Sequence, residues 1–155
     1  MERFNVHAAQ FAYDEDPDGY RVGMARFGPQ IGMARLGGSV YELPPGQSVC
    51  PYHWEAGDEE LLLVLAGEAT VRHPQGEDVL GPGEVVCFRE GPEGAHKVSN
   101  KSDETVRVLM LSTLREPALT VYPDSDKVGA FDKPSATRLL FRRGDAVDYF
   151  DGETA

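Results

Sequence analysis

Five side chains of the metal-binding and acid–base types crowd one short stretch. Residues 51–67 read P-Y-H-W-E-A-G-D-E-E-L-L-L-V-L-A-G, and the first half carries His53, Glu55, Asp58, Glu59 and Glu60. Side chains two apart in an extended segment share a face. His53 and Glu55 therefore point one way, and Tyr52 and Trp54 the other, toward packing or a subunit interface. An imidazole beside a carboxylate, with another carboxylate close behind, suits a divalent metal of the first transition row. The second half, Leu61 to Ala66, is continuously apolar and stops at Gly67, which reads as a strand buried on both faces. Such a strand needs no acids at its mouth for solubility alone. Carboxylates turned inward are costly unless a proton or a bound cation neutralises them.

A second stretch, G-P-E-G-A-H-K-V-S-N, supplies His96 and Asn100. Together the two stretches resemble the motifs of the cupins, small antiparallel jelly-roll barrels. The first cupin motif runs Gly, a few residues, His-x-His, three or four residues, Glu, six residues, Gly. Here Gly46 opens it, His53 is the first histidine, Glu55 takes the second histidine's place, Glu60 follows and Gly67 closes it. The second motif runs Pro-x-Gly, two residues, His, three residues, Asn. Its histidine and asparagine match His96 and Asn100; its start is either Pro92 to Gly94 with one residue lost, or Arg89 to Gly91 with an insertion. The stretches Y-E-L-P-P-G, V-Y-P-D-S-D-K-V-G and F-R-R-G-D-A-V-D-Y-F-D-G-E are similar to a bacterial group of small single-domain cupins. The resemblance covers the chain from about Phe27 onward.

It implies an all-β fold, a cupin-type double-stranded β-helix or jelly-roll barrel. It also implies a metal held by His53, Glu55, Glu60 and His96, with a position open to water or substrate. Two imidazoles with carboxylate oxygens favour manganese, iron, nickel, cobalt or zinc over calcium or magnesium. Glu55 is the departure from the pattern: it could ligate, turn aside as a catalytic base, or mark loss of the metal. A register shift of one would exchange Glu60 for Glu59. The implied partner is a small organic molecule, either as substrate of an oxygenase, isomerase or decarboxylase, or as ligand of a non-catalytic sensor or metal-binding barrel.

The elements that must position these residues are strands. The 155 residues suit one domain, and 17 Gly with 11 Pro imply many turns. Strand patterns cover 33–36 and 39–43 around a bend at Gly37-Gly38, then 47–55, 59–66, 68–72, 78–80, 85–88, 95–99, 105–112, 119–122 and 138–141. Eight to eleven strands suit a two-sheet barrel. The division expected is an N-terminal arm over 1–30, a barrel over 31–123 and a C-terminal extension over 124–155. Edge strands need covering, and small cupins usually pair, so a homodimer is expected.

A net charge of −11 disfavours nucleic acid and anionic membranes as partners. There is no apolar N-terminal run with basic flanks and no span approaching ~20 apolar residues, so a cytoplasmic location is expected. Cys50 and Cys87 then read as small buried thiols, with a disulfide still open. His7 and His73 read as surface residues. The acidic run in Tyr13 to Tyr20 reads as a solvated loop, since it lacks the repeating pattern of an EF-hand. Neither a Ser-His-Asp set nor a phosphate loop nor a dinucleotide fingerprint is present.

Overall fold

The computed structural model describes residues 1–132 and 136–154. Among these the regular structure is β with single 3-10 turns. In chain order the strands are β1 (Ala12–Tyr13), β2 (Gly23–Arg26), β3 (Leu36–Leu43), β4 (Trp54–Glu55), β5 (Glu60–Ala66), β6 (Ala69–His73) and β7 (Gly76–Leu80). There follow β8 (Val85–Phe88), β9 (Lys97–Ser99), β10 (Val106–Thr113), β11 (Ala118–Tyr122), β12 (Lys127–Asp132) and β13 (Thr137–Arg142). A six-stranded sheet has the order β1-β2-β3-β10-β5-β8; a four-stranded sheet, β13-β12-β11-β4; a three-stranded sheet, β7-β6-β9. Two isolated bridges, Ser48 with Ser99 and His53 with His96, tie the segment before β4 to β9. The smaller sheets thereby run on as one face, and all named pairings are antiparallel.

The core lies between that face and the six-stranded sheet. Leu43, Leu62, Val64, Ala69, Val71, Phe88, Val98, Val106, Val108 and Met110 pack there. The apolar run of β5 forms as its pattern predicts: Leu62 and Val64 point inward and are fully buried, while Leu61 and Leu63 are half-covered on the outer side. Burying a side chain the size of Leu contributes about 1.5–3 kcal/mol. Asn100 pins the turn between β9 and β10. Its amide donates to the carbonyls of Leu43 (2.8 Å) and Glu104 (2.7 Å), and its oxygen accepts from the Ser102 N–H and hydroxyl.

Several expectations need correction. Residues 33–35 are not strand, and Gly37-Gly38 is not a bend, because β3 runs straight through both glycines. They serve close approach instead: a Cβ on Gly38 would stand 2.7 Å from the Phe27 ring, and one on Gly37 2.5 Å from Ser112 Oγ. The strand over 47–55 shrinks to β4 and the two bridges, since Pro51 offers no N–H and residues 49–52 bend. The short strands β1 and β2, within the stretch read as an arm, extend the six-stranded sheet, and β12 was not anticipated. The strand count among the described residues is thus thirteen. Cys87 is exposed on β8, Cys50 is half-buried, and both are free thiols. His73 is half-buried, with Nε2 3.2 Å from Asp78 Oδ2. The C-terminal extension is described apart from residues 133–135 and 155.

Candidate metal centre

Three side chains from separate parts of the chain meet between the sheets. Glu60 opens β5 and faces inward, in a cross-strand row with Ser112 on β10 and Phe88 on β8. His53 lies just before β4 and His96 just before β9; their backbones pair directly, with N–H to carbonyl distances of 3.0 and 2.8 Å. The ligand atoms of His53, Glu60 and His96 all lie within 4.8 Å of one another.

Backbone carbonyls set the tautomers. His53 Nδ1 stands 2.9 Å from the Pro51 carbonyl and His96 Nδ1 3.0 Å from that of Gly94. A carbonyl only accepts, so each Nδ1 carries the proton and each Nε2 turns a lone pair inward. This is the arrangement of imidazoles oriented for a metal by outer-shell carbonyls. Gly94 is needed for it: a Cβ there would fall 1.7 Å from the Arg89 carbonyl oxygen, so no other residue lets the loop present this carbonyl.

His96 Nε2 lies 3.1 Å from Glu60 Oε2, and His53 Nε2 lies 3.8 Å from the same oxygen. Glu60 Oε2 and His96 Nε2 are both buried without a hydrogen-bond partner. Two inward lone-pair atoms left so are a costly arrangement that a cation between them relieves. The donor set therefore fits a divalent metal of the transition row. Burial, then the neighbouring His96, lowers the His53 pKa; Glu60 opposes this. Phe88 stacks flat on His96, with centroids 3.6 Å apart, and the Tyr122 ring lies 6.0 Å from that of His53.

Glu55 lies beside this group rather than within it. Its Oε1 is 3.5 Å from His53 Nε2, and its Oε2 accepts from the Thr120 hydroxyl at 2.8 Å. Burial pushes its carboxyl up to about 7; the Thr120 hydrogen bond opposes this, and the charges of Glu60 and Asp58 add to it. Asp58 is turned to structural work, accepting from Thr113 Oγ1 and the Arg115 N–H. Glu59 is exposed, so Glu60 is the inward carboxylate of the pair. Tyr52 is buried under the Arg72 guanidinium, 3.9 Å from its ring centroid, away from the group.

Two cavities meet at Glu60. One of about 400 Å³ is lined by Arg26, Ser39, Tyr41, Glu60, Met110 and Ser112 among others. The other, about 300 Å³, includes Glu55, Glu60, Thr120, Tyr122 and Phe131. Thr120 and Tyr122 escaped the sequence reading, although L-T-V-Y alternates and puts both on one face. Arg26 and Tyr41 gave no local signal.

Residues 39–112 match the family Cupin_2, described as a cupin domain, and the match spans both ligand-bearing stretches. The chain carries a cupin domain. Among solved structures, the sugar phosphate isomerase of the cupin superfamily from Silicibacter pomeroyi is similar at 20% identity and a TM-score of 0.79, over 96% of this chain and 98% of that one. The polyketide cyclase from Streptomyces resistomycificus is similar at 22% identity and 0.62, over 76% and 83%. A Cupin 2 conserved barrel domain protein from Salinispora arenicola is similar at 22% identity and 0.56, over 74% and 89%. At these identities the likeness is one of fold. No curated protein matches the sequence. Among the described residues no helix is long and apolar enough to cross a membrane.

Proposed function

We propose that this cupin binds a divalent transition metal through His53, Glu60 and His96, and acts with it on a small organic molecule. The observation that carries this is the buried, unpartnered pair of Glu60 Oε2 and His96 Nε2. When bound, such a metal supplies a Lewis acid toward an oxygen of the substrate. Glu55 supplies the proton chemistry. Its carboxyl is pushed up to about 7, so it takes up and returns a proton near neutral pH. Thr120 fixes the other carboxylate oxygen and aims Glu55 at the cavity it shares with Glu60. Phe88 and Tyr122 flank the imidazoles and exclude water. Proton transfer at a carbon beside a polarised oxygen, an isomerase type of reaction, fits these parts best. A neighbour of the same fold, the protein from Silicibacter pomeroyi, bears the name sugar phosphate isomerase, which supports this reading.

A second reading has one specific support. Glu55 Oε1 approaches His53 Nε2 to 3.5 Å; as a fourth ligand it would leave fewer open positions, which suits a sensor or storage barrel. Titration of chelated protein with manganese, iron, nickel, cobalt and zinc tests the centre, with Glu55→Gln separating the two readings. Metal bound by the parent and lost in His96→Ala is the expected result. Unchanged metal affinity in Glu55→Gln favours the base; a large loss favours the ligand. Equal affinity in His96→Ala and the parent overturns the centre.

The same reading has the protein working as a cytoplasmic homodimer, without nucleic-acid or membrane partners, and divided at about residues 30 and 123. Its supports are the charge of −11 and the exposed Leu139, Leu140 and Phe141 on edge strand β13.

A further inference from the structure

Arg26, exposed at the end of β2, lines the cavity that also holds Glu60. Cross-strand pairing puts Arg26, Ser39, Met110, Leu62 and Val86 in one row across the six-stranded sheet. Partners in such a row share a face. Leu62 and Met110 are core residues, so the face of this row is the inner one. The row next along holds Gly37, Ser112, Glu60 and Phe88. Arg26 thus stands three strands from Glu60 on the same concave surface, roughly 14 Å across the strands and about 7 Å along them at ordinary strand geometry. Both line the cavity of about 400 Å³.

Arg26 is also spare. The salt bridges given by cations among the described residues belong to Arg72, Lys101, Arg107 and Arg143. Arg26 is exposed and lines the rim of a cavity whose far wall holds Glu60, so its guanidinium is free to meet an anion entering there. Ser39, Tyr41 and Ser112 add hydroxyls along the way.

We infer that Arg26 is the anion-binding residue of this cavity, and that the site takes a small organic anion, its carboxylate or phosphate on Arg26 and an oxygen function toward His53, Glu60 and His96. This rests on the metal-centre reading for one end of the molecule only. The competing role for an inward charge at a strand end is protection of the edge against pairing, which requires no ligand.

The test is calorimetric titration of ribose 5-phosphate, ribonate and ribose into metal-free and manganese-loaded protein, for the parent, Arg26→Gln and Arg26→Lys. At least one anion should bind the parent more tightly than ribose. Arg26→Gln should weaken that anion roughly tenfold or more, as expected for loss of a charge-assisted contact, with ribose unchanged and Arg26→Lys intermediate. A response confined to ribose 5-phosphate assigns a phosphate; one confined to ribonate assigns a carboxylate. Anion affinity equal in Arg26→Gln and the parent, or no anion binding better than ribose, overturns the inference. An Arg26-dependent anion affinity that manganese leaves unchanged would uphold the inference for Arg26 and count against the metal centre. Manganese uptake with no effect of Arg26→Gln does the reverse.

Discussion

His53 and His96 hold each other by their backbones, each N–H on the other's carbonyl. The register of the two imidazoles is therefore fixed by main-chain atoms, which survive truncation of either side chain. His53→Ala and His96→Ala should fold and lose only the metal. Ligand at a hundredfold excess over its dissociation constant stabilises by about 2.7 kcal/mol. At roughly 2–4 °C per kcal/mol, metal should raise the melting temperature of chelated parent by roughly 5–10 °C, in scanning calorimetry, and leave both variants unmoved. His73→Ala, lying outside the group, should keep the increment.

Acid should release the metal, because the imidazoles must be neutral to ligate. The metal-free protein gives a second pH signature. Glu55 titrates near 7 in the fold against an ordinary 4.5, so its contribution is present in full below 4.5 and is lost as pH rises toward 7. His53 is lowered from 6.5, so its contribution is present above 6.5 and is lost as pH falls through its folded value. Glu55→Gln should remove the first slope and make metal-free protein relatively more stable than the parent at pH 7 than at pH 4.5. Parallel melting curves for the two proteins across that range would contradict the burial of an ionisable Glu55.

Phe88→Ala should remove both a core side chain and the plate behind His96. Loss of a buried phenyl ring costs about 3–5 kcal/mol, and urea titration should show it. Metal affinity should fall as well, since the imidazole loses the surface that orients it. Phe88→Leu should recover much of the stability and less of the affinity.

Asn100, though part of the second motif, serves the turn and not the centre. Asn100→Ala leaves the buried Leu43 carbonyl without its side-chain donor, while the Glu104 carbonyl keeps the Ser102 hydroxyl. An unsatisfied buried group costs about 1–3 kcal/mol, so a loss of that size is expected in urea titration. Metal affinity at low temperature, where the variant is folded, should stay close to that of the parent.

Sedimentation velocity at micromolar concentration should give a species of twice the 17.0 kDa chain mass. Leu140→Lys with Phe141→Lys should shift it to the monomer. A parent that sediments as a monomer removes the homodimer from the reading.

Residues governed by local pattern were legible in the sequence. The apolar run of β5 and the shared face of His53 and Glu55 follow from spacing of one or two residues, whereas His96 is reached only through the resemblance of its stretch to the second cupin motif. Glu60 against Glu59 was not legible, because a change of one in register exchanges the faces of a strand. That register is set by β10, which pairs Ser112 with Glu60 from far along the chain. The same holds for Arg26, Tyr41 and Thr120, whose neighbours come from other strands. Glu55 was read as either ligand or base; what holds it aside is Thr120, on a strand that local sequence cannot pair with β4. The paired glycines of β3 look like a bend until Phe27 and Ser112 are seen to press against them.

The place of β10 between β3 and β5 has a consequence for how the molecule comes into being. Synthesis delivers His53, Glu55, Glu60 and His96 before β10, the second of the two strands that flank β5, while β3, already beside β2, waits for its other neighbour until roughly sixty to eighty residues later. Closing such long loops before any reward is slow, which places all-β chains of this connectivity among the millisecond-to-second folders. A nascent chain halted at Ser99 would hold every candidate ligand and still lack β10, the strand that pairs Ser112 with Glu60.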